Sequence, residues 1–279
     1  MAANYGAYKK ISSNMIPDGA VTGDMLQHGV GNKYCSFYVF QERGLKCQEC
    51  SYAGGCCCVY CGRCCLWTVP SYVTQVQFEI WSGGGGGAGM TCSNCCSYSF
   101  GGAGGNYATK TITTRPGCTY TICAGGAWRC TKSHTCTGGM GCKSYITGYN
   151  LSNFCTVGGC GGYMCNGDDN GPTGLQTCAN CNVCGIYGAD FGATGSTGYK
   201  LSHSGCKCQG SDYAQAGAAP FIAKFHSMHL TENWCSCGCY TNWPSGGGNS
   251  GMSTYCGNAH KCCAGGTGGG SGIVKVTFA

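Results

Sequence analysis

The chain has 279 residues, of which 31 are Cys and 53 are Gly, while only 9% are charged and the net charge is +6. Ile, Val, Leu and Phe together make up about 13% of it, below the roughly 20% of ordinary globular domains. Aliphatic burial alone cannot order so many glycines, because Gly loses the most backbone entropy on folding. The low charge argues against a solvated disordered chain. We therefore expect the cysteines to supply covalent or metal cross-links.

Several classes of protein are excluded by composition. The sequence contains no stretch of 18 apolar residues, so no transmembrane helix is predicted. Residues 1–30 lack the pattern of a secretory signal. The 16 Lys and Arg residues are scattered, which disfavours nucleic-acid binding. Collagen is excluded because only 6 Pro are present and the Gly spacing is irregular.

A Cys-rich chain without a secretory signal has three possible explanations. Its thiols bind metal, its signal is missing from this sequence, or it oxidises after release by lysis, as a virus particle does.

Composition divides the chain into three parts. Residues 1–33 contain no Cys and few apolar residues, so we expect an attachment or oligomerisation segment that does not fold alone. Residues 34–66 hold nine Cys between Cys35 and Cys65 and are interpreted as a Cys-rich connector. Residues 67–279 are interpreted as a glycine-rich β domain.

The clearest strand signal lies at residues 72–81. Val76, Phe78 and Ile80 alternate there with two Gln and a Glu, a pattern typical of a strand with one buried face. The strand runs directly into the glycines of residues 83–87.

Two further strands are predicted at 107–114 and 118–123, joined by Arg115-Pro116-Gly117-Cys118, which suits a type II turn. The chain closes with an alternating strand that ends at Phe278. Strands at both ends with Gly-rich stretches between them predict an all-β, β-sandwich-like domain, with long Gly-rich loops at one end and cross-links between cysteines. The residues expected in its core are Phe78, Ile80, Ile122, Val274 and Val276.

Three strings in the sequence carry a family resemblance: WTVPSYVTQVQFEIWSGGGGGAG, GGAGGNYATKTITTRPGCTYTICAGG and GGTGGGSGIVKVTF. Together they resemble the glycine-rich virion domain of bacteriophage tail fibres and related structural proteins. The resemblance frames residues 67–278, whereas most of 127–264 matches only in its Gly content. The high Cys content departs from most members and is similar to that of cyanophage structural proteins.

The resemblance implies a virion component without enzymatic activity, often a trimeric fibre or a tip adhesin. Residues 16–30 are similar to N-terminal segments that join a fibre to the particle, which implies other virion proteins as partners of residues 1–33. A host-surface glycan or protein is the expected target, and no membrane insertion or nucleic-acid binding is expected. The protein would be made in the host cytoplasm and exposed on virions after lysis.

Recognition would use aromatic residues in the Gly-rich region, because rings stack on sugars and suit adaptable contacts. The alternative interpretation of each aromatic residue is that it packs within a core that has few aliphatic side chains. The candidate receptor contacts are Tyr98, Phe100, Tyr163, Trp234, Tyr240 and Trp243.

No catalytic or cofactor-binding residues are predicted. Gly84-x-Gly86-x-x-Gly89 follows a strand, but neither the helix nor the acidic residue that a dinucleotide site needs comes after it. A Cys/His pair is expected by chance in a chain with this many Cys, so it does not indicate a nucleophile.

The cysteines can be interpreted either as disulfides or as metal ligands. Disulfides are favoured because the core is weak and the protein is expected to be exposed outside the cell. The weak metal candidates are Cys178, Cys181 and Cys184, whose spacing suits thiolate ligation. Two other functions stay open besides a tail fibre or tip: a capsid or tail decoration protein, and a metal-binding module built from the Cys clusters.

Overall fold

A computed structural model describes residues 35–40, 63–88, 97–127, 138–162, 164–166, 185–198, 217–222, 245–247 and 268–278. Every regular element in these ranges is a strand, and no helix in them is long and apolar enough to cross a membrane. In chain order the strands are β1 Cys35–Phe40, β2 Arg63–Thr68, β3 Gln75–Trp81, β4 Ser97–Ser99, β5 Tyr107–Thr113, β6 Thr119–Ala124, β7 Ser144–Gly148, β8 Leu151–Thr156, β9 Met164–Asn166, β10 Ile186–Tyr187, β11 Phe191–Ala193 and β12 Ile273–Phe278.

The strands form two five-stranded antiparallel sheets and a separate two-stranded ribbon. The first sheet has the order β1-β12-β3-β5-β11, and the second has the order β10-β8-β7-β6-β2. The ribbon pairs β4 with β9. Both sheets contribute to one buried apolar cluster, so they pack face to face, and the predicted all-β, β-sandwich-like fold is confirmed.

Alternation of side chains along the strands explains the core. All five residues expected in it, namely Phe78, Ile80, Ile122, Val274 and Val276, are 0% exposed, because successive side chains of a strand point to opposite faces. The register pairs Phe78 with Val276 and Ile80 with Val274. The strand predictions are therefore confirmed, although the first of them begins at Gln75 rather than at residue 72.

The turn between β5 and β6 is also as predicted. Gly117 has φ 79°, and the Cys118 N–H donates to the Arg115 carbonyl at 3.1 Å. A type II turn needs positive φ at its third residue, which Gly provides without a steric cost.

The connector predicted at 34–66 contributes a strand to each sheet. β1 pairs with β12 in the first sheet, and β2 pairs with β6 in the second. Trp67 of β2 packs into the core, with its ring centroid 6.1 Å from that of Tyr120 and 6.4 Å from that of Phe78. The described residues of this segment are thus part of the sandwich. Residues 1–33 lie outside the described residues.

Replacing Phe78 with Ala should lower the free energy of unfolding by about 3–5 kcal/mol, because it removes a fully buried ring from between the two sheets. Chemical denaturation of the full chain measures the change. Gln77→Ala, at the exposed neighbouring position on the same strand, is the matched control and should change stability by less than about 0.5 kcal/mol. Equal effects of the two substitutions would contradict the observed strand register.

Candidate functional site

Glycine-rich segments leave the sandwich at a single end. β3, β6, β8 and β11 finish there and β5, β7 and β12 begin there, because antiparallel neighbours such as Trp81 and Tyr107 are paired at that edge. We call these segments the glycine bundle. They comprise residues 83–88, 100–106, 125–127, 138–143, 157–162, 194–198, 217–219, 245–247 and 268–272.

Backbone hydrogen bonds join these segments to one another with a repeat of three residues. Successive N–H groups of residues 83–86 donate in three directions, and the fourth group returns to the segment that the first one reached. The four bonds run from Gly83 to Cys142, Gly84 to Gly270, Gly85 to Ala103 and Gly86 to Gly139, with N···O distances of 3.0, 2.8, 3.0 and 3.0 Å. Three residues per turn without hydrogen bonds inside the segment is the geometry of an extended, polyproline-II-like helix. The glycine bundle is therefore a pack of extended helices held together by their backbones.

The acceptors of the central segment follow the same repeat. The carbonyls of Gly83 and Gly86 accept from the N–H groups of Gly159 and Gly162, both at 2.8 Å. Residues 83–87 are buried, so these donors and acceptors would be costly to leave unpaired. The bundle satisfies them without a β ladder.

Close approach, rather than an unusual dihedral angle, is why this region consists of glycine. A Cβ on Gly84 would lie 1.9 Å from the Gly246 carbonyl oxygen, and one on Gly85 would lie 2.0 Å from the Cys160 oxygen. Both glycines have φ values outside the left-handed region. Only a residue without a side chain lets backbones come this close. The glycines of the glycine bundle, predicted as loops, are therefore closely packed.

Three fully buried polar residues, Ser82, Asn106 and Ser144, join the glycine bundle to the sandwich. Ser82 Oγ donates to the Val157 carbonyl at 2.7 Å and accepts from the Asn106 N–H at 2.8 Å. Asn106 Nδ2 also donates to the Val157 carbonyl, at 3.1 Å. Ser144 Oγ donates to the Trp81 carbonyl at 2.7 Å. Because these bonds satisfy the buried groups from several strands at once, they fix the direction in which the bundle leaves the sandwich.

The structure describes two of the six candidate receptor contacts. Tyr98 lies in β4 opposite Cys165 of β9, in the ribbon that continues from bundle residues 100–106 and 157–162. Phe100 follows at the bundle edge, where its side chain is 7% exposed and its carbonyl accepts from the Ala88 N–H at 3.1 Å. Tyr163, Trp234, Tyr240 and Trp243 lie outside the described residues. The recognition role of all six stays a prediction.

One disulfide is seen among the described residues. Cys64 of β2 and Cys123 of β6 are directly opposite in the second sheet and are bonded across a sequence separation of 59. This bridge is of the kind that the sequence favoured over metal ligation, and it links the Cys-rich segment to the glycine-rich domain. Cys178, Cys181 and Cys184 lie outside the described residues, and no group of His, Cys, Asp or Glu that could hold a metal ion is found within the described ones.

Aromatic and charged residues that the sequence analysis did not single out lie together on the outer face of the first sheet. Phe191 and Phe221 are exposed, and both pack against Tyr107. The Tyr107 hydroxyl donates to Glu79 at 2.9 Å. Burial first, and then the hydrogen bond and charge of Glu79, raise the pKa of Tyr107 to about 12. The same carboxylate raises the pKa of Lys275 through a hydrogen bond. No local sequence pattern signals this cluster, because its members come from five separate parts of the chain.

These features define an all-β scaffold with a backbone-bonded glycine bundle at one end. A family model described as "Glycine-rich domain" matches residues 61–279. The chain therefore belongs to the glycine-rich domain family. No curated protein matches it.

Replacing Gly84 with Ala should destabilise the protein by about 3 kcal/mol, the upper end of the usual cost of overpacking, because the new Cβ meets a backbone carbonyl that hydrogen bonds hold in place. Gly117→Ala is the matched control: nothing lies within 4 Å of the point that a Cβ would occupy there, so its cost is the strain of positive φ alone, about 1 kcal/mol. Denaturant unfolding compares the two variants. Hydrogen exchange of amides in residues 83–86 should accelerate only in Gly84→Ala. Equal losses of stability would contradict the close-approach explanation.

Replacing both Cys64 and Cys123 with Ser should lower the free energy of unfolding of the oxidised protein by about 4 kcal/mol, because the bridge restricts the unfolded chain over a long loop. Cys35→Ser, which removes an exposed thiol, is the control.

Thiol counting on denatured protein, with and without reductant and together with metal analysis, tests the state of the cysteines in the whole chain. We expect most of the 31 cysteines to react only after reduction. A majority of reactive thiols together with stoichiometric zinc or iron would favour the metal-binding alternative.

Proposed function

We propose that the chain is a structural virion protein of a bacteriophage, a component of a tail fibre or its tip that contributes to recognition of the host surface. It would act by non-covalent binding and would not catalyse a reaction. The segments that carry the resemblance to tail-fibre domains form β3, β5 and β12, the three central strands of the first sheet, and β6 of the second sheet. Membership of the glycine-rich domain family is consistent with this proposal.

The observation that carries the proposal is the glycine bundle. Its segments contribute little side-chain chemistry, and their backbone groups are hydrogen-bonded to one another. One example is the bond from the Gly141 N–H to the Gly159 carbonyl at 2.9 Å. Such a body is suited to mechanical support rather than catalysis. It holds the β4–β9 ribbon at a fixed distance from the sandwich, as a receptor-binding tip requires.

Attachment to the particle would use residues 1–33, with a trimer as the expected assembly. The described part of the chain places Cys35, the first residue after this segment to be described, at the start of β1 opposite Phe278. That is the end of the sandwich away from the glycine bundle. A fibre anchored through residues 1–33 would then point its glycine bundle outward.

Immunogold electron microscopy of intact particles tests the proposed location, with antibodies raised against the purified full chain. We expect gold particles at the ends of tail fibres. Gold over the capsid or along the tail would support the decoration alternative, and particles without label would contradict a virion role altogether.

Deleting residues 1–33 should abolish incorporation into particles, because these residues are expected to contact another subunit or the particle. Purified particles from cells that make either the full or the shortened chain are compared by immunoblot. Thermal melting checks that the shortened chain remains folded. A shortened chain that folds and is incorporated normally would show that attachment lies elsewhere.

A further inference from the structure

The outer face of the first sheet carries one continuous row of side chains across all five strands. Aromatic rings stand at both ends of the row, and polar groups lie between them. The row runs Tyr38, Lys275, Glu79, Thr109 and Phe191, each residue directly opposite the next. Four strand spacings make it about 19 Å long. It is therefore an extended surface rather than a pocket.

The Phe191 end of this row is a cluster of three rings. The Tyr107 ring centroid lies 4.9 Å from that of Phe221 and 6.3 Å from that of Phe191, and the two Phe centroids are 6.3 Å apart. Tyr107 is buried, whereas Phe191 is 53% exposed and Phe221 is 74% exposed. The cluster thus presents two rings to solvent on a fixed aromatic base.

The most exposed of these rings belongs to a residue with a strained backbone. Phe221 has φ 63°, a region that bulky residues seldom adopt. The preceding carbonyl, that of Pro220, accepts a hydrogen bond from Trp81 Nε1 at 2.8 Å. Burial does not offset this strain, because Phe221 is 74% exposed. Strain kept at an exposed aromatic residue points to a binding role.

Charge on the row is balanced internally. Lys275 Nζ lies 2.8 Å from Glu79 Oε2, at the centre of the row. The other polar groups described on this face are hydroxyls and amides, including Thr109 and Gln77. A surface of this kind suits a neutral ligand with many hydroxyl groups, because the charges described on it are already paired with one another.

We propose that this row binds a neutral oligosaccharide, with sugar faces stacked on Phe191 and Phe221 and hydroxyls hydrogen-bonded to Thr109 and to the Glu79–Lys275 pair. A protein partner fits less well, because a stable protein interface has an apolar centre and here an ion pair occupies the centre. The inference rests on the proposed function only for the source of the sugar, which would be a host surface.

A printed array of neutral and anionic bacterial oligosaccharides, probed with the full chain, tests the proposal, and isothermal titration calorimetry then measures the best neutral tetrasaccharide. Wild type should bind neutral members. Phe191→Ala and Phe221→Gly should each weaken binding by about tenfold or more, since each loses a stacking ring. Phe221→Gly should melt at the same or a higher temperature than wild type because it relieves the positive-φ strain, so its loss of binding would not reflect unfolding.

Tyr72→Ala and Tyr187→Ala are the controls, since both remove exposed rings outside this face, and both should bind as wild type does. Glu79→Gln leaves Lys275 unpaired and should shift binding toward anionic oligosaccharides. The proposal is overturned if wild type binds no neutral oligosaccharide, if Phe191→Ala and Phe221→Gly bind normally, or if these two variants only convert a self-associated chain to monomers. Immunogold location on particles is read independently, so loss of sugar binding and loss of the virion role are distinguishable.

Discussion

Close packing of bare backbones is the constraint on which the structure depends. In the glycine bundle, carbonyl oxygens of one segment occupy the space that a neighbour's Cβ would fill, as at Gly84 and Gly246. The segments can then exchange backbone hydrogen bonds in three directions instead of the two that a strand offers. Burial of hydrogen-bonded backbone takes over part of the role that aliphatic side chains have in other domains. This accounts for an ordered region in a chain with so few Ile, Val, Leu and Phe residues.

The sandwich contains the apolar core that the glycine bundle lacks. Its core combines the few aliphatic residues with large rings, and the Tyr120 ring is fully buried with its hydroxyl donating to the Tyr149 carbonyl at 2.9 Å. Aromatic rings bury more surface per residue than aliphatic side chains do, so few of them suffice. The Cys64–Cys123 bridge adds a covalent link within the second sheet. The strands thereby hold the ends of the glycine segments at the positions where close packing can begin.

The sandwich and the glycine bundle differ in what they can contribute to function. The glycine bundle has little side-chain chemistry of its own, so under the proposed function specificity would come from residues outside the bundle. The ribbon of β4 and β9 continues from segments of the bundle, whereas the outer face of the first sheet belongs to the sandwich. Under the proposed function, these are two separate candidate surfaces for host contact.

Local patterns in the sequence were enough to determine four of the strands and one turn. Alternation identified β3, β5, β6 and β12 and their buried residues, because a side-chain period of two depends only on near neighbours. Pro116-Gly117 identified its turn for the same reason. The packing of the glycines was decided only by the tertiary structure, since Gly83 and Cys142 are far apart in the chain and Gly carries no side chain to signal a partner. The meeting of Phe191 with Phe221 likewise depends on β11 joining the first sheet at its edge, which no periodicity in that short strand encodes.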